Sequence, residues 1–427
     1  MSYANILKLK NRFNSLSAKN DLKEAVKVGD LIIDEYFSSR LTNSRKFADD
    51  IFDIAVINDK SGNLARAEQL YKESANVYKN ICGKDIGYAH RINNLAIIYA
   101  KTFRNVTALS LFKESYRLKF NLLGYKSSET GAGLYNLGNA YYDSGDYERA
   151  LHYLRQALKS WDKRSEDYID NVNSIGYTLE ALGALDKALE QFHIALDLIA
   201  EVYGVLSMEY IKNLYYIANV YYENGDYEKS KDYMELFITI TTKIIGEKHP
   251  YILKALECLS QSCKCLNDDA SELEYRLKII KLTEENIGCN HIFYCECLSS
   301  AAVLYKRKCN YQAAEKLLEK SLDIRMGLTG FDNISYLKDL ILLAGIHFEM
   351  GMIKETIREI SAVVEIVENN NELFDGVLIE MIHTFIEVDD RGLTQEEKQQ
   401  IFDNIYRIIT DDESGNGFNW RMFDDFR

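Results

Sequence analysis

Apolar residues recur at i, i+3, i+4 and i+7 almost without a break from Tyr3 to Thr410, the spacing of helices that bury one stripe. The stretch 131–164 shows the pattern best. Leu134, Leu137, Gly138 and Tyr141 share one face, Ser144-Gly145-Asp146 interrupts it, and Ala150, Leu151, Leu154, Ala157 and Leu158 form a second apolar stripe. Glycine accepts the left-handed backbone that ends a helix, and aspartate caps the next one. The segment therefore predicts two amphipathic helices around a tight turn. Small residues at Gly138, Ala150 and Ala157 allow the two to approach closely, and Ala96, Gly176, Ala218, Ala188 and Ala195 do the same elsewhere.

This unit repeats along the chain. Small residues stand at Ala25, Ala67, Ala108, Ala150, Ala188 and Ser230, and the register continues through Glu272, Ala314 and Thr356, in steps of 42, 41, 42, 38, 42, 42, 42 and 42 residues. Three positions before most of them comes a large side chain (Leu22, Leu64, Tyr147, Leu185, Tyr227, Tyr311, Ile353), and five before often a turn former such as Gly62, Gly145 or Gly225. A second ladder, Gly83, Gly124, Gly204, Gly246, Gly288 and Gly330, keeps the same beat. Self-similarity at a fixed period is the mark of a solenoid. The expected fold is all-α, a right-handed superhelical solenoid of nine complete helix-turn-helix pairs and a degenerate tenth over 377–410. One array then spans 1–410, followed by an acidic and aromatic tail, 411–427.

The L-G-x-x-Y pattern followed by two small residues resembles the tetratricopeptide repeat (TPR). The 42-residue period, the run Asn93 to Tyr99 and the run Gly246 to Ile252 resemble its kinesin light chain subclass. The resemblance covers roughly residues 1–390 and concerns architecture, because such repeats serve many unrelated partners. Only one linker keeps the His249-Pro250 pair, the unit near 165–200 has a shortened linker, and a motor-associated coiled coil is absent, so a motor role is not implied.

Composition narrows the function. One proline and no Gly- or Ser-rich linker in 427 residues argue for one elongated array rather than several domains. A net charge of −14, with the basic residues dispersed, argues against nucleic acid as the main partner. No apolar stretch reaches the roughly 20 residues that span a bilayer, and no segment of signal-peptide type opens the chain, so the expectation is a cytoplasmic protein without a membrane partner.

Candidate chemistry is sparse. Seven of the eight cysteines (Cys258, Cys263, Cys265, Cys289, Cys295, Cys297, Cys309) fall within 52 residues. None forms a CxxC pair, and Cys295 and Cys297, two apart on a helix, point to different sides. Cys263 takes a buried register position and Cys309 replaces a turn glycine. His249 and His291 lie 42 apart at the same linker point, which marks them as structural. No phosphate loop and no Ser/His/Asp or Cys/His arrangement stands out. The expectation is no enzyme, no catalytic residue, no cofactor and no metal.

Function is then expected on the inward face of the first helix of each pair. Counted from the Leu-Gly pair, one inward register carries Ile97, Asn139, Tyr177, Asn219, Gln261 and Val303; the turn before it carries Asn93, Tyr135, Asn173, Tyr215, Glu257 and Ser299. The turn after it carries Ala100, Tyr142, Glu180, Tyr222, Lys264 and Lys306, and the helix start His90, Ala132, Asp170, Lys212, Lys254 and Lys338. Asparagine offers donor and acceptor to an extended peptide backbone. Tyrosine supplies flat apolar area with a hydroxyl tip. Asn93, Asn139, Asn173, Asn219, Tyr135, Tyr142, Tyr177, Tyr215 and Tyr222 are therefore the candidate peptide-binding residues. Lys212, Lys254, Lys264 and Lys306 would hold acidic side chains or a terminal carboxylate.

Two functions fit: a scaffold or adaptor that binds an acidic or aromatic peptide segment, and a peptide-responsive regulator of the bacterial quorum-sensing TPR type. Such regulators usually carry an N-terminal module, whereas residues 1–36 resemble an ordinary first repeat, with Leu7, Leu16, Leu22, Ala25 and Val28 in register, so the scaffold leads. The tail sets Phe418, Trp420, Phe423 and Phe426 among acids and is expected to dock on the last pair, whose apolar residues include Ile382, Phe385 and Ile401.

Overall fold

Turn chemistry sets the element boundaries. Asp21, Asp146, Asp226, Asp268 and Asn310 each accept a backbone N–H three residues on and so start the second helix of a pair, while Ser44, Asp85, Ser165 and Ser207 start first helices in the same way. His249 and His291 take this role in their linkers, Nδ1 accepting from the N–H of Tyr251 at 3.2 Å and of Phe293 at 3.1 Å. Their spacing marked them as structural, and capping is the role they fill. Gly145, at φ 77°, occupies the left-handed turn between helices. Phe103 and Cys309 hold the equivalent turns at φ 58° and 56°, where a side chain is strained.

The computed structural model describes residues 2–368 except 332, and among these every regular element is helical. Two compact units divide between Gly225 and Asp226. The first contains α1 (Ser2–Ala18), α2 (Leu22–Ser38), α3 (Arg45–Lys60), α4 (Leu64–Cys82), α5 (Ile86–Lys101), α6 (Asn105–Leu123), α7 (Ser128–Asp143), α8 (Tyr147–Ala157), α9 (Glu166–Ala181), α10 (Leu185–Val202) and α11 (Met208–Glu223). The second contains α12 (Tyr227–Ile245), α13 (Pro250–Cys265), α14 (Asp269–Asn286), α15 (Ile292–Arg307), α16 (Tyr311–Thr329), α17 (Ile334–Glu349) and α18 (Ile353–Glu368). Within each unit every helix packs mainly on its chain neighbours, the contact pattern of a stacked repeat array. The tenth pair at 377–410 and the tail at 411–427, including Trp420, lie outside the described residues. Among the described residues no helix is long and apolar enough to cross a membrane.

Two details differ from the sequence expectation. In α1 the buried residues are Ile6 and Phe13, while Leu7 is 49% exposed. The short step of 38 falls on the second helix of its pair and not on the linker: α8 has 11 residues against 19 in α6, and the connection 158–165 to α9, which includes the 3-10 turn Leu158–Ser160, is longer than 124–127 before α7.

The register alanines Ala25, Ala67, Ala150, Ala188 and Ala314 are completely buried. Gly138 completes the close approach, since a Cβ there would lie 2.7 Å from Leu154 Cγ. Polar groups are buried in partnered sets. Arg325 Nε donates to Asp339 Oδ2 at 2.8 Å, and Ser321 Oγ donates to the same oxygen at 2.6 Å. Arg91 is paired with Asp49, bonds Ser74 at 2.9 Å and lies 3.8 Å from the centre of the Tyr78 ring.

Candidate functional site

The first helices α5, α7, α9 and α11 of the first unit carry ten of the thirteen candidate residues, and α13 and α15 of the second unit carry Lys254, Lys264 and Lys306. The ten do not play one role. Asn93 is buried and accepts from Asn136 Nδ2 at 3.0 Å, and Asn173 accepts from Asn213 Nδ2 at 2.6 Å. Both side chains join successive first helices, so their amide oxygens are engaged between repeats. Asn139 and Asn219, on the other register, are half-buried on the strip.

The tyrosines fall into three aromatic groups. Tyr177 packs edge-on against Phe192 at 5.2 Å and Tyr216 at 4.8 Å between ring centroids, and burial raises its phenol well above the usual range. Tyr215 meets Tyr216 at 6.4 Å, Tyr142 meets Tyr147 at 5.3 Å, and Tyr135 lies edge-on to Trp161 at 6.1 Å. The Tyr135 hydroxyl also accepts from Ser174 Oγ at 3.4 Å. Tyr142, Tyr215 and Tyr222 keep part of their surface open to solvent. Lys212, Lys254 and Lys264 are exposed and Lys306 is half-buried.

Carboxylates stand beside these rings. Glu180 on α9 has its carboxyl lifted to about 7 by burial and by the neighbouring Glu223 of α11. Glu180 acts in turn on the phenols of Tyr142 and Tyr177. Asp143, the residue after Tyr142, and Asp170 are exposed, and Asp170 stands among Glu166, Asp167 and Glu209 with Lys212 opposed. The surroundings of Tyr142 and Tyr177 in the first unit are thus acidic and aromatic. Glu180 and Asp170 lie on the registers counted from the sequence, but the half-burial of Glu180 beside Glu223 is a property of packing. Glu223 and Asp143 each follow a register tyrosine.

In the second unit the cysteines are dispersed. The Cys295 thiol is raised by burial and faces Arg325 and Ser321 of α16 and Asp339 of α17, whereas the Cys297 thiol, lifted by burial to about 11, faces Thr283 and Arg276 of α14. Their spacing does send them to opposite sides. Among the described residues no group of three or more His, Cys, Asp or Glu side chains is placed to hold a metal ion.

Comparison with known proteins agrees with the repeat architecture. Tetratricopeptide repeat models match residues 88–163 and 214–251. No curated protein is significantly similar in sequence. Among solved structures, the chain is similar to the apo form of RapI, with a TM-score of 0.54 and 12% identity over 91% of this chain and 99% of that one. It is also similar to a signal transduction ATPase with numerous domains carrying a tetratricopeptide repeat sensor, from Pyrococcus horikoshii, with a TM-score of 0.55 and 16% identity over 88% of this chain and 54% of that one. A protein of nearly identical TPR-like repeats from Podosopora anserina, described as a kinesin light chain, reaches 16% identity and covers 46% of this chain and 96% of its own. Its TM-score of 0.40 is too low to bear on fold or function. The chain is therefore an all-α protein built of packed helix pairs, with tetratricopeptide repeats at 88–163 and 214–251.

Proposed function

We propose that the chain is a non-enzymatic protein-interaction scaffold of the cytoplasm, whose first unit receives an extended partner segment bearing lysine or arginine. The observation that carries this is Glu180. Its carboxylate is desolvated beside Glu223, and none of the influences on it is a cation. A half-buried carboxylate beside a like charge is favoured by an incoming cation. A cationic side chain from a partner would supply the pair, and the rings of Tyr142 and Tyr222 would offer it a favourable face. Asn139 and Asn219 hydrogen-bond the segment's backbone in this reading. Lys254, Lys264 and Lys306 in the second unit suit an acidic segment instead. The spacing further supports membership of the kinesin-light-chain-like repeat subclass and a single right-handed array over 1–410.

Fluorescence anisotropy with labelled extended peptides tests the proposal. A lysine- and tyrosine-bearing peptide should bind, and its glutamate-bearing counterpart should bind the Lys254→Ala/Lys264→Ala variant more weakly than the wild type. Glu180→Gln should weaken the basic peptide by on the order of tenfold, the value of one charge-assisted hydrogen bond. Asn139→Ala/Asn219→Ala should abolish its capture with little change in melting temperature, because half-buried polar groups away from the core contribute little to folding. Equal affinity of wild type and Glu180→Gln for the basic peptide would refute the assignment. Scattering during the same titration separates a passive groove from a regulator that changes shape on binding.

A further inference from the structure

His347 on α17 is buried between two carboxylates. Its Nε2 lies 3.0 Å from Glu315 Oε1 on α16, and its Nδ1 lies 2.8 Å from Glu359 Oε1 on α18. A neutral imidazole has one N–H and one bare nitrogen. It can donate to only one of two ionised carboxylates, and its bare nitrogen then faces the lone pairs of the other. Both contacts are favourable together only when the trio holds one additional proton, either as imidazolium or as a carboxylic acid. The second oxygen of Glu359 is buried with no hydrogen-bond partner among the described residues.

We infer that Glu315, His347 and Glu359 form a proton-dependent latch that fastens α18 to the α16–α17 pair. Burial lifts the Glu359 carboxyl to about 7, with His347 and Arg358 pulling it down and Glu355 pushing it up. Other charges nearby are committed: Glu349 of α17 accepts from the Tyr311 hydroxyl of α16 at 3.4 Å, and Arg307 of α15 bonds Asp269 at 3.4 Å. Because the folded carboxyl is raised, the latch is complete below neutral pH, and one of its two bridges is lost as pH rises through about 7. The apolar contacts of Ile360 and Val363 and the bond from Thr356 to the Ala344 carbonyl remain, so α18 loosens without leaving.

Hydrogen exchange of the intact chain, read by mass spectrometry between about pH 6 and about pH 8.5 and corrected for intrinsic rates, tests the latch. Protection of the α18 amides should fall on the order of tenfold across that range, while α14 amides change far less. Glu359→Gln keeps the shape and donates permanently to the bare nitrogen, so its α18 protection should stay high and level with pH. Wild-type α18 protection that does not change with pH overturns the proposal, as does a Glu359→Gln variant with the wild-type pH dependence.

Discussion

Replacing Glu272 with alanine should stabilise the second unit. Glu272 stands on α14 at the register that alanine fills in α2, α4, α6, α8, α10 and α16, and it is only 3% exposed. One of its oxygens has no partner, and Arg276 reaches the other only at 3.7 Å. Burial raises its carboxyl above the usual carboxylate range despite Arg276, Arg307 and Lys264. An unpaired buried acceptor costs about 1–3 kcal/mol, and removing the Cγ methylene forfeits part of that gain, about 0.8 kcal/mol for a fully buried CH₂. The net expectation for Glu272→Ala is a gain of about 1 kcal/mol at neutral pH, or roughly 2–4 °C in melting temperature for a unit of this size. A raised folded pKa means that the fold favours the protonated form. The wild-type deficit is therefore full above the folded value and fades as pH falls towards about 4.5. Repeat arrays open locally, so hydrogen exchange across α13–α15 at about pH 8 and about pH 5.5 is the decisive assay, with calorimetry alongside. If Glu272→Ala exchanges faster than the wild type at both pH values, the buried carboxylate contributes through Arg276 and the reasoning fails.

Three further outcomes follow from the same geometry. Asp339→Ala leaves Arg325 charged and buried, 4% exposed, and should cost about 3–5 kcal/mol in thermal or urea unfolding. Phe103→Gly should stabilise α5–α6 by about 1 kcal/mol, because Phe103 is 91% exposed and strained at φ 58°; slower exchange at the α6 N-terminus would report it. Binding of a lysine-bearing peptide to the first unit should strengthen as pH rises from about 6 to about 8, since Glu180, lifted to about 7, becomes anionic over that interval; anisotropy with Glu180→Gln should show no such rise.

Much of this protein was legible in local pattern. The 42-residue beat, the turn residues and the alternating large and small positions place every helix pair among the described residues, because helix periodicity, caps and left-handed turns depend on residues a few positions apart. The histidine spacing marked His249 and His291 as structural, and the structure shows that they cap helices. Tertiary structure decided what the register positions are used for. Asn93 and Asn139 look alike in sequence, yet the first is spent on Asn136 of the next repeat while the second remains on the strip. Leu7 and Ile6 are adjacent and equally apolar, and only the rotation of α1 against α2 buries one of them. The raised carboxyl of Glu180 also emerged only there, because the cost of a charge depends on neighbours brought together from helices about 40 residues apart. Local sequence sets the helices and their spacing, whereas side-chain partners and desolvation arise from the packing of one repeat on the next.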